Sequence, residues 1–334
     1  MAVILLPPQR MKLVFPILCG LVMIWWCGCS DDAPPADRSL TPVTLQTEFL
    51  AVPAEAGFYH ALVSGYYEEV GLDVTIKEGT GSDNPMLNVV SGQADFGSTS
   101  TVAVLRYRSQ GMPLRALFAY HQHSPRALVL HAEDPADAWE DLDNRRILVT
   151  PGFPWIDFVE RRYGISLNVA ARPPSLAQFM ADPERRTIQE VYVTNQPYFL
   201  AREGIPNKVL LIRETGYDPQ KIVGARADFV RNNPKVAKAF MEATVRGFRD
   251  YFLRDPALAN REMIQRNPAL DPDLVRYYRE VLIRDKYIFG DLTEETYGTI
   301  VRSRVVELAE RLQDIGYLET RVDIDELVWD RSEN

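Results

Sequence analysis

The chain has 334 residues, 46% of them hydrophobic and 25% charged, with a formal net charge of −9 at pH 7. This composition argues against a disordered or fibrous chain and is enough for two domains with their own cores. Beyond residue 29 there are 35 basic against 46 acidic residues, an acidic balance that argues against nucleic acid or anionic lipid headgroups as partners.

Residues 1–29 contain no acid and only Arg10 and Lys12 as bases. Lys12 and the apolar run at 13–26 read as a secretory leader that starts at Met1 or Met11, since the run is short for a membrane span of about 20 residues. Cys19, Cys27 and Cys29 all fall inside this leader. No disulfide or thiolate metal site is therefore expected in the fold. Gly28 before Cys29 resembles a bacterial lipoprotein cleavage site, although Trp26 and Cys27 depart from the usual box. That resemblance implies diacylglycerol on Cys29 and a membrane anchor; the alternatives are an ordinary signal cut nearby or an uncleaved anchor. Residues 30–42, SDDAPPADRSLTP, are polar and proline-rich and read as a flexible tether.

From residue 43 onward strand and helix patterns alternate. Strands are expected at 43–49, 73–77, 94–97 and 114–120, with helices at 58–70, 85–91 and 101–109. Gly71 then stops the first helix and Leu72 closes its cap. Such alternation predicts an α/β fold whose mostly parallel sheet is covered on both faces. The strand RALVLHA is expected to end a first lobe, 43–132, and the polar AEDPADAWEDLDN to carry the chain into a second, 133–219. There the strands are expected at 147–150, 190–194 and 209–212, and the helices at 155–163, 175–181 and 198–203. A strand at 221–225 returns to the first lobe, so 220–334 comprises that return and a helical C-terminal region. Pro234, Pro256 and Pro272 mark helix starts there, and Asp271 is an N-cap. Two crossings make two lobes and a hinge.

Enzyme motifs are scarce: the chain has no G-x-S-x-G elbow, H-E-x-x-H pair or Walker A loop. The loop 48–57 joins a strand's carboxyl end to a helix start, the place where open α/β sheets bind ligands. Phe49 ends that strand and offers a flat ring for stacking. Trp155 is expected to supply the opposing face, with Glu55 and Tyr59 at the ring edge. In the turn 79–84, Asn84 caps the next helix, and Ser82 and Asn84 are candidates to present polar groups to the cleft. Ser98, Thr99 and Ser100 sit at another strand-to-helix junction, where hydroxyls serve as caps or as ligand contacts. His121 and His123, two apart, lack a third ligand at metal spacing, so no metal and no cofactor is expected.

The segment EAGFYHALVSGYYEEVGLDVTIKEGTGSDNPMLNVVSGQADFGSTST, followed by SPRALVLHA, YVTNQPYFLAREGI and GYDPQKIVGARADFVRNNPKVAKAF, resembles the NMT1/THI5-like family of solute-binding proteins. The resemblance covers most of residues 43–254. It implies a two-lobed periplasmic binding protein type II fold, a monomer that captures a small molecule and delivers it to an ABC permease and ATPase. It also implies that Phe49 stands where Trp is common, that Ser98–Ser100 line the cleft, and that His123 lies in a cleft-side turn. Tyr192, Asn195 and Gln196 fall in a Y-x-T-N-E-P motif, with Gln196 replacing Glu, a charged acceptor exchanged for a neutral donor and acceptor. The ligands implied are thiamine pyrimidine precursors, with riboflavin-like flavins or alkanesulfonates as alternatives. The family also covers enzymes that make the thiamine pyrimidine, but their CCCFC-type segment is absent here.

Overall fold

The computed structural model describes residues 39–81 and 83–330. The leader, Cys29, most of the tether and Ser82 lie outside them. Strand β1 (Thr41–Gln46) starts two residues earlier than the tether boundary, because Thr41 N–H donates to Gly71 O at 2.9 Å and the strand pairs with β2 (Leu72–Lys77) from its first residue. The chain continues through β3 (Phe96–Ser100), β4 (Leu114–His121), β5 (Arg126–His131), β6 (Arg146–Val149), β7 (Asn168–Ala171), β8 (Ile188–Tyr192), β9 (Asn207–Leu211) and β10 (Lys221–Arg226). These make two five-stranded sheets, ordered β2-β1-β3-β10-β4 and β7-β6-β8-β5-β9. The two orders repeat one plan. In each sheet a single strand runs against the others: β10 is antiparallel to β3 and β4, and β5 is antiparallel to β8 and β9.

This pairing corrects one expectation. Residues 126–132 do not close the first lobe, because β5 places Ala127 opposite Val191 of β8 and Leu211 of β9. The crossing is thus the short segment 122–125, and the polar 132–144 stretch is a connection within the second lobe. A buried apolar run such as ALVL carries no label for the sheet it joins. The edge strand β7, only four residues long and mostly exposed, is too short for a periodic pattern to stand out in the sequence. The expected single helix at 58–70 is two, Ala56–Val63 and Tyr66–Glu69, because Gly65 between them takes the left-handed conformation at φ +72°.

Helices cover the sheets. The 20-residue helix Pro234–Leu253 lies along Ala56–Val63, where Gly57 and Gly247 let the two backbones touch. Around that contact Phe58 meets the edges of Tyr120 and Phe248 at ring distances of 5.3 and 4.9 Å, and Phe96 stacks on Phe240 at 4.0 Å. Helix Arg302–Asp314 packs on Thr101–Ser109, and Trp329 N–H donates to Ala116 O of β4. Helix Pro272–Arg284 touches both lobes. It packs on the turn Pro53–Glu55, while its Tyr277 hydroxyl donates to Val193 O. Both crossings meet at Asp218, which accepts from His123 Nδ1, Ser124 N–H and Arg304 Nη2 at 2.5–2.8 Å.

Candidate functional site

The carboxyl ends of β1, β3 and β4 in one sheet and of β6 and β8 in the other border one cavity of about 280 Å³. From the first lobe come Glu48 and Phe49 after β1, Thr99 and Ser100 at the end of β3, and Tyr120 and His121 at the end of β4. From the second come Phe153 after β6, and Tyr192 and Asn195 from the end of β8. The two antiparallel strands enter from the same side, so their first residues reach it too. Lys221 opens β10 opposite Ser100 and His121, and Arg126 opens β5 opposite Tyr192. Tyr217 and Tyr278 complete an aromatic lining.

The charges on this wall are internally matched. Lys221 is ion-paired with Glu48; burial opposes its charge most strongly, but Glu48 together with Tyr192 and Glu55 outweighs it and raises the Lys221 pKa. Arg126 is ion-paired with Glu190, gives a second bond to Tyr192 Oη at 2.7 Å, and stacks 3.9 Å from the Phe153 ring centre. Burial also opposes the Glu190 charge, yet Arg126 and the Thr150 N–H at 2.7 Å hold its pKa below the ordinary value. Each cation thus faces its own carboxylate. Burial pushes His121 down to about 3, leaving it neutral, and its Nε2 donates to Ala54 O at 2.9 Å.

Glu55 differs from these. Its side chain is buried, Oε1 accepts from Ser98 Oγ at 3.2 Å, and Oε2 has no partner. Burial pushes its carboxyl up to about 8, against the partial relief that Lys221 gives. Tyr120 Oη and Asn195 Oδ1 are likewise buried without partners. A raised folded pKa means that the folded state holds the proton more tightly than the unfolded one, so this group's contribution to stability is complete below about pH 4.5 and lost as pH rises toward 8. Glu55→Gln is expected to remove that slope, with a change on the order of 4 kcal/mol relative to wild type across the window. Urea melts from pH 5 to 8 check it; parallel slopes in both proteins would contradict it.

With this geometry in place, similarity to known proteins is decisive for the family. A model described as NMT1/THI5 like matches residues 52–259. The chain belongs to the NMT1/THI5-like family. The riboflavin-binding protein RibY of Chloroflexus aurantiacus is 26% identical over 234 residues, 65% of this chain and 64% of that relative, just under two thirds of its length. The 4-amino-5-hydroxymethyl-2-methylpyrimidine phosphate synthase THI5 of Saccharomyces cerevisiae is 23% identical over 258 residues, 71% of this chain and 74% of that one. Among solved structures, the periplasmic aliphatic sulphonate binding protein SsuA of Escherichia coli superposes with a TM-score of 0.66 at 12% identity, over 87% of this chain and 93% of that one. At such identity the likeness concerns the fold, the two-lobed periplasmic binding protein architecture.

Within this family fold the residues singled out from the sequence separate into groups. Phe49, Glu55, Thr99, Ser100, Tyr192 and Asn195 border the cavity. Ser98 stands just behind, its hydroxyl accepting from Glu48 N–H and donating to Glu55. Others point elsewhere. Trp155 is 0% exposed and its Nε1 donates to Glu190 at 3.2 Å, so its ring is core and cannot stack on a ligand. Phe153, two residues earlier in the loop before that helix, borders the cavity in its place. Tyr59 is core, Asn84 caps helix Pro85–Val90 and bonds Tyr107, His123 is held by Asp218, and Gln196 Oε1 accepts from Tyr192 N–H at 2.8 Å. None of these four borders the cavity. Sequence reasoning missed Arg126 and Lys221, although both are the first residue of a strand that follows a lobe crossing. Among the described residues no group of three or more His, Cys, Asp or Glu is placed to hold a metal ion.

Proposed function

We propose that this chain is the solute-binding receptor of an ABC importer, which holds a neutral planar heterocycle between its lobes and passes it to a permease and ATPase at the cell envelope. The observation that carries this reading is an aromatic cavity whose cations are already paired. Phe49 and Phe153 enter from opposite lobes, and Tyr192, Tyr217 and Tyr278 share the lining. Rings of this kind give a flat solute large contact area, and polar atoms at the margin fix its orientation. A cavity of about 280 Å³ suits a small solute. The names of RibY and the yeast synthase associate relatives with a flavin and with the thiamine pyrimidine. Hydroxymethylpyrimidine, its formylamino relative and riboflavin are therefore the solutes we favour. In this reading Cys29 carries the lipid that keeps the receptor, as a monomer, at the membrane.

An alkanesulfonate is the second reading, favoured by the likeness to SsuA. Such an anion needs an uncompensated cation or several convergent N–H donors, whereas Arg126 and Lys221 each face a carboxylate. Catalysis like that of the yeast synthase finds little support. All three cysteines precede residue 30, and Lys221, held protonated by Glu48, is no amine nucleophile. Phe49→Ala and Phe153→Ala are each expected to weaken ring binding about tenfold or more while leaving the fold intact. Native mass spectrometry of the purified protein, with thermal shifts against pyrimidines, flavins and sulfonates, tests the reading. A carried-over or stabilising ring compound supports it; stabilisation by sulfonates alone would replace it.

A further inference from the structure

Among the described residues, Glu55 is the one carboxyl on the cavity wall without a cationic partner at hydrogen-bond distance. The turn Pro53–Glu55 brings it to the cavity that Phe49 also borders, and helix Pro272–Arg284 packs on that turn. Only 1% of the residue is exposed. An ionised carboxylate sealed away in this manner needs two or three donors around its oxygens. It has one in hydrogen-bond geometry, Ser98 Oγ on Oε1, and that hydroxyl is itself fixed by accepting from Glu48 N–H, while the nearby Tyr120 hydroxyl gives only partial relief from burial. Oε2 is left without a partner in the same cavity as the unpartnered Tyr120 Oη and, across the cleft, Asn195 Oδ1. Lys221, the nearest cation along the wall, is occupied by Glu48.

We propose that Glu55 is the specificity-determining residue of this cleft, entering the complex as a neutral carboxylic acid whose Oε2–H donates to an acceptor atom, a ring nitrogen or carbonyl oxygen, on the edge of the bound heterocycle. This rests on the receptor reading and narrows it to rings with an acceptor edge facing the first lobe. A cationic or purely donor edge would require the ionised form and is excluded. The groups facing Glu55 leave it as the one that titrates near neutrality. Lys221 of β10 is held protonated by its pairing with Glu48, burial drives His121 of β4 down to about 3, and burial raises Tyr120, Tyr59 and Tyr278 above the ordinary tyrosine value. The Glu55 carboxyl itself, pushed up to about 8, is mostly protonated at pH 7 and mostly ionised at pH 9.

The test titrates the full-length protein, its Glu55→Gln and its Glu55→Ala variants with riboflavin and with hydroxymethylpyrimidine at pH 7 and 9. Wild-type affinity for the ring that binds should fall about tenfold between the two, because only the protonated fraction is competent. Glu55→Gln keeps a donor at the same place. It should bind within about threefold of wild type at pH 7 and lose the pH dependence, while Glu55→Ala should lose about tenfold or more at pH 7. Equal losses in both variants, or wild-type affinity that is level or rising toward pH 9, overturn the proposal and leave the receptor reading standing. Infrared difference spectra of wild type against Glu55→Gln, without ligand, give an independent readout. A protonated-carboxyl band at pH 6.5 supports the neutral acid, and its absence overturns it. Should wild type bind neither probe, the receptor reading falls together with the ligand half of the proposal, and the infrared band alone decides the state of Glu55.

Discussion

Replacing Arg126 by methionine is expected to destabilise the protein by about 3–5 kcal/mol, because it strands the buried carboxylate of Glu190. Glu190 is 2% exposed and is satisfied on both oxygens, by Arg126 and Trp155 Nε1 on Oε1 and by Thr150 N–H on Oε2. Arg172 compensates only in part, since its Nε donates to Thr150 Oγ1 and meets Oε2 at 3.9 Å as an ion pair without a hydrogen bond. Much of the cost is thus an unpaired charge, and it should be recovered by removing that charge. The double variant Arg126→Met with Glu190→Gln is expected to regain at least half of the loss, a coupling that a double-mutant cycle in urea reads directly. Additive losses would mean that the pair does not act as a unit. The same substitution should disturb the cleft, because Arg126 also holds the Tyr192 hydroxyl and underlies Phe153.

The second large effect concerns a place far from any ligand. A Cβ on Gly57 would sit 2.6 Å from Phe248 Cα and closer still to its ring, and a Cβ on Gly247 would sit 2.3 Å from Gly57 O. These are backbone collisions that no rotamer change relieves. Alanine at either position must push helix Pro234–Leu253 away from Ala56–Val63 and open the contacts of Phe58 with Tyr120 and Phe248. The expected cost is about 3 kcal/mol or more, at the upper end of overpacking penalties. The loop carrying Glu55 and Phe49 runs directly into helix Ala56–Val63, the other side of that contact, so affinity should fall as well. A Gly247→Ala protein with an unchanged melting curve would show that the two helices are not locked together there.

What could be read from the sequence follows what is local in it. The alternation that placed β1 and β4 depends on spacing within a few residues, and Phe49, Thr99 and Ser100 were legible for that reason, although β3 runs to Ser100 rather than ending at 97, so that Thr99 and Ser100 are its last residues. Gly71 likewise marked the end of its helix. Pairing between strands is not local. The ALVL of β5 fits either sheet equally well, and only its partners Val191 and Leu211 decide. The same limit hid Arg126 and Lys221, since a rule that looks for ligands after parallel strands passes over the first residue of an antiparallel one. Trp155 illustrates a different limit. Proximity to a cleft loop did not reveal that the indole turns inward to Glu190, leaving Phe153 at the surface of the cavity.

The most direct test of the central claim is isothermal titration of the full-length protein and its Phe49→Ala, Phe153→Ala double variant with hydroxymethylpyrimidine, riboflavin and a short alkanesulfonate. The account predicts that at least one ring compound binds wild type, that the double variant loses about a hundredfold in affinity for it, and that the sulfonate gives no heat beyond dilution. Sulfonate binding of equal strength in both proteins, with no response to either ring compound, would contradict it.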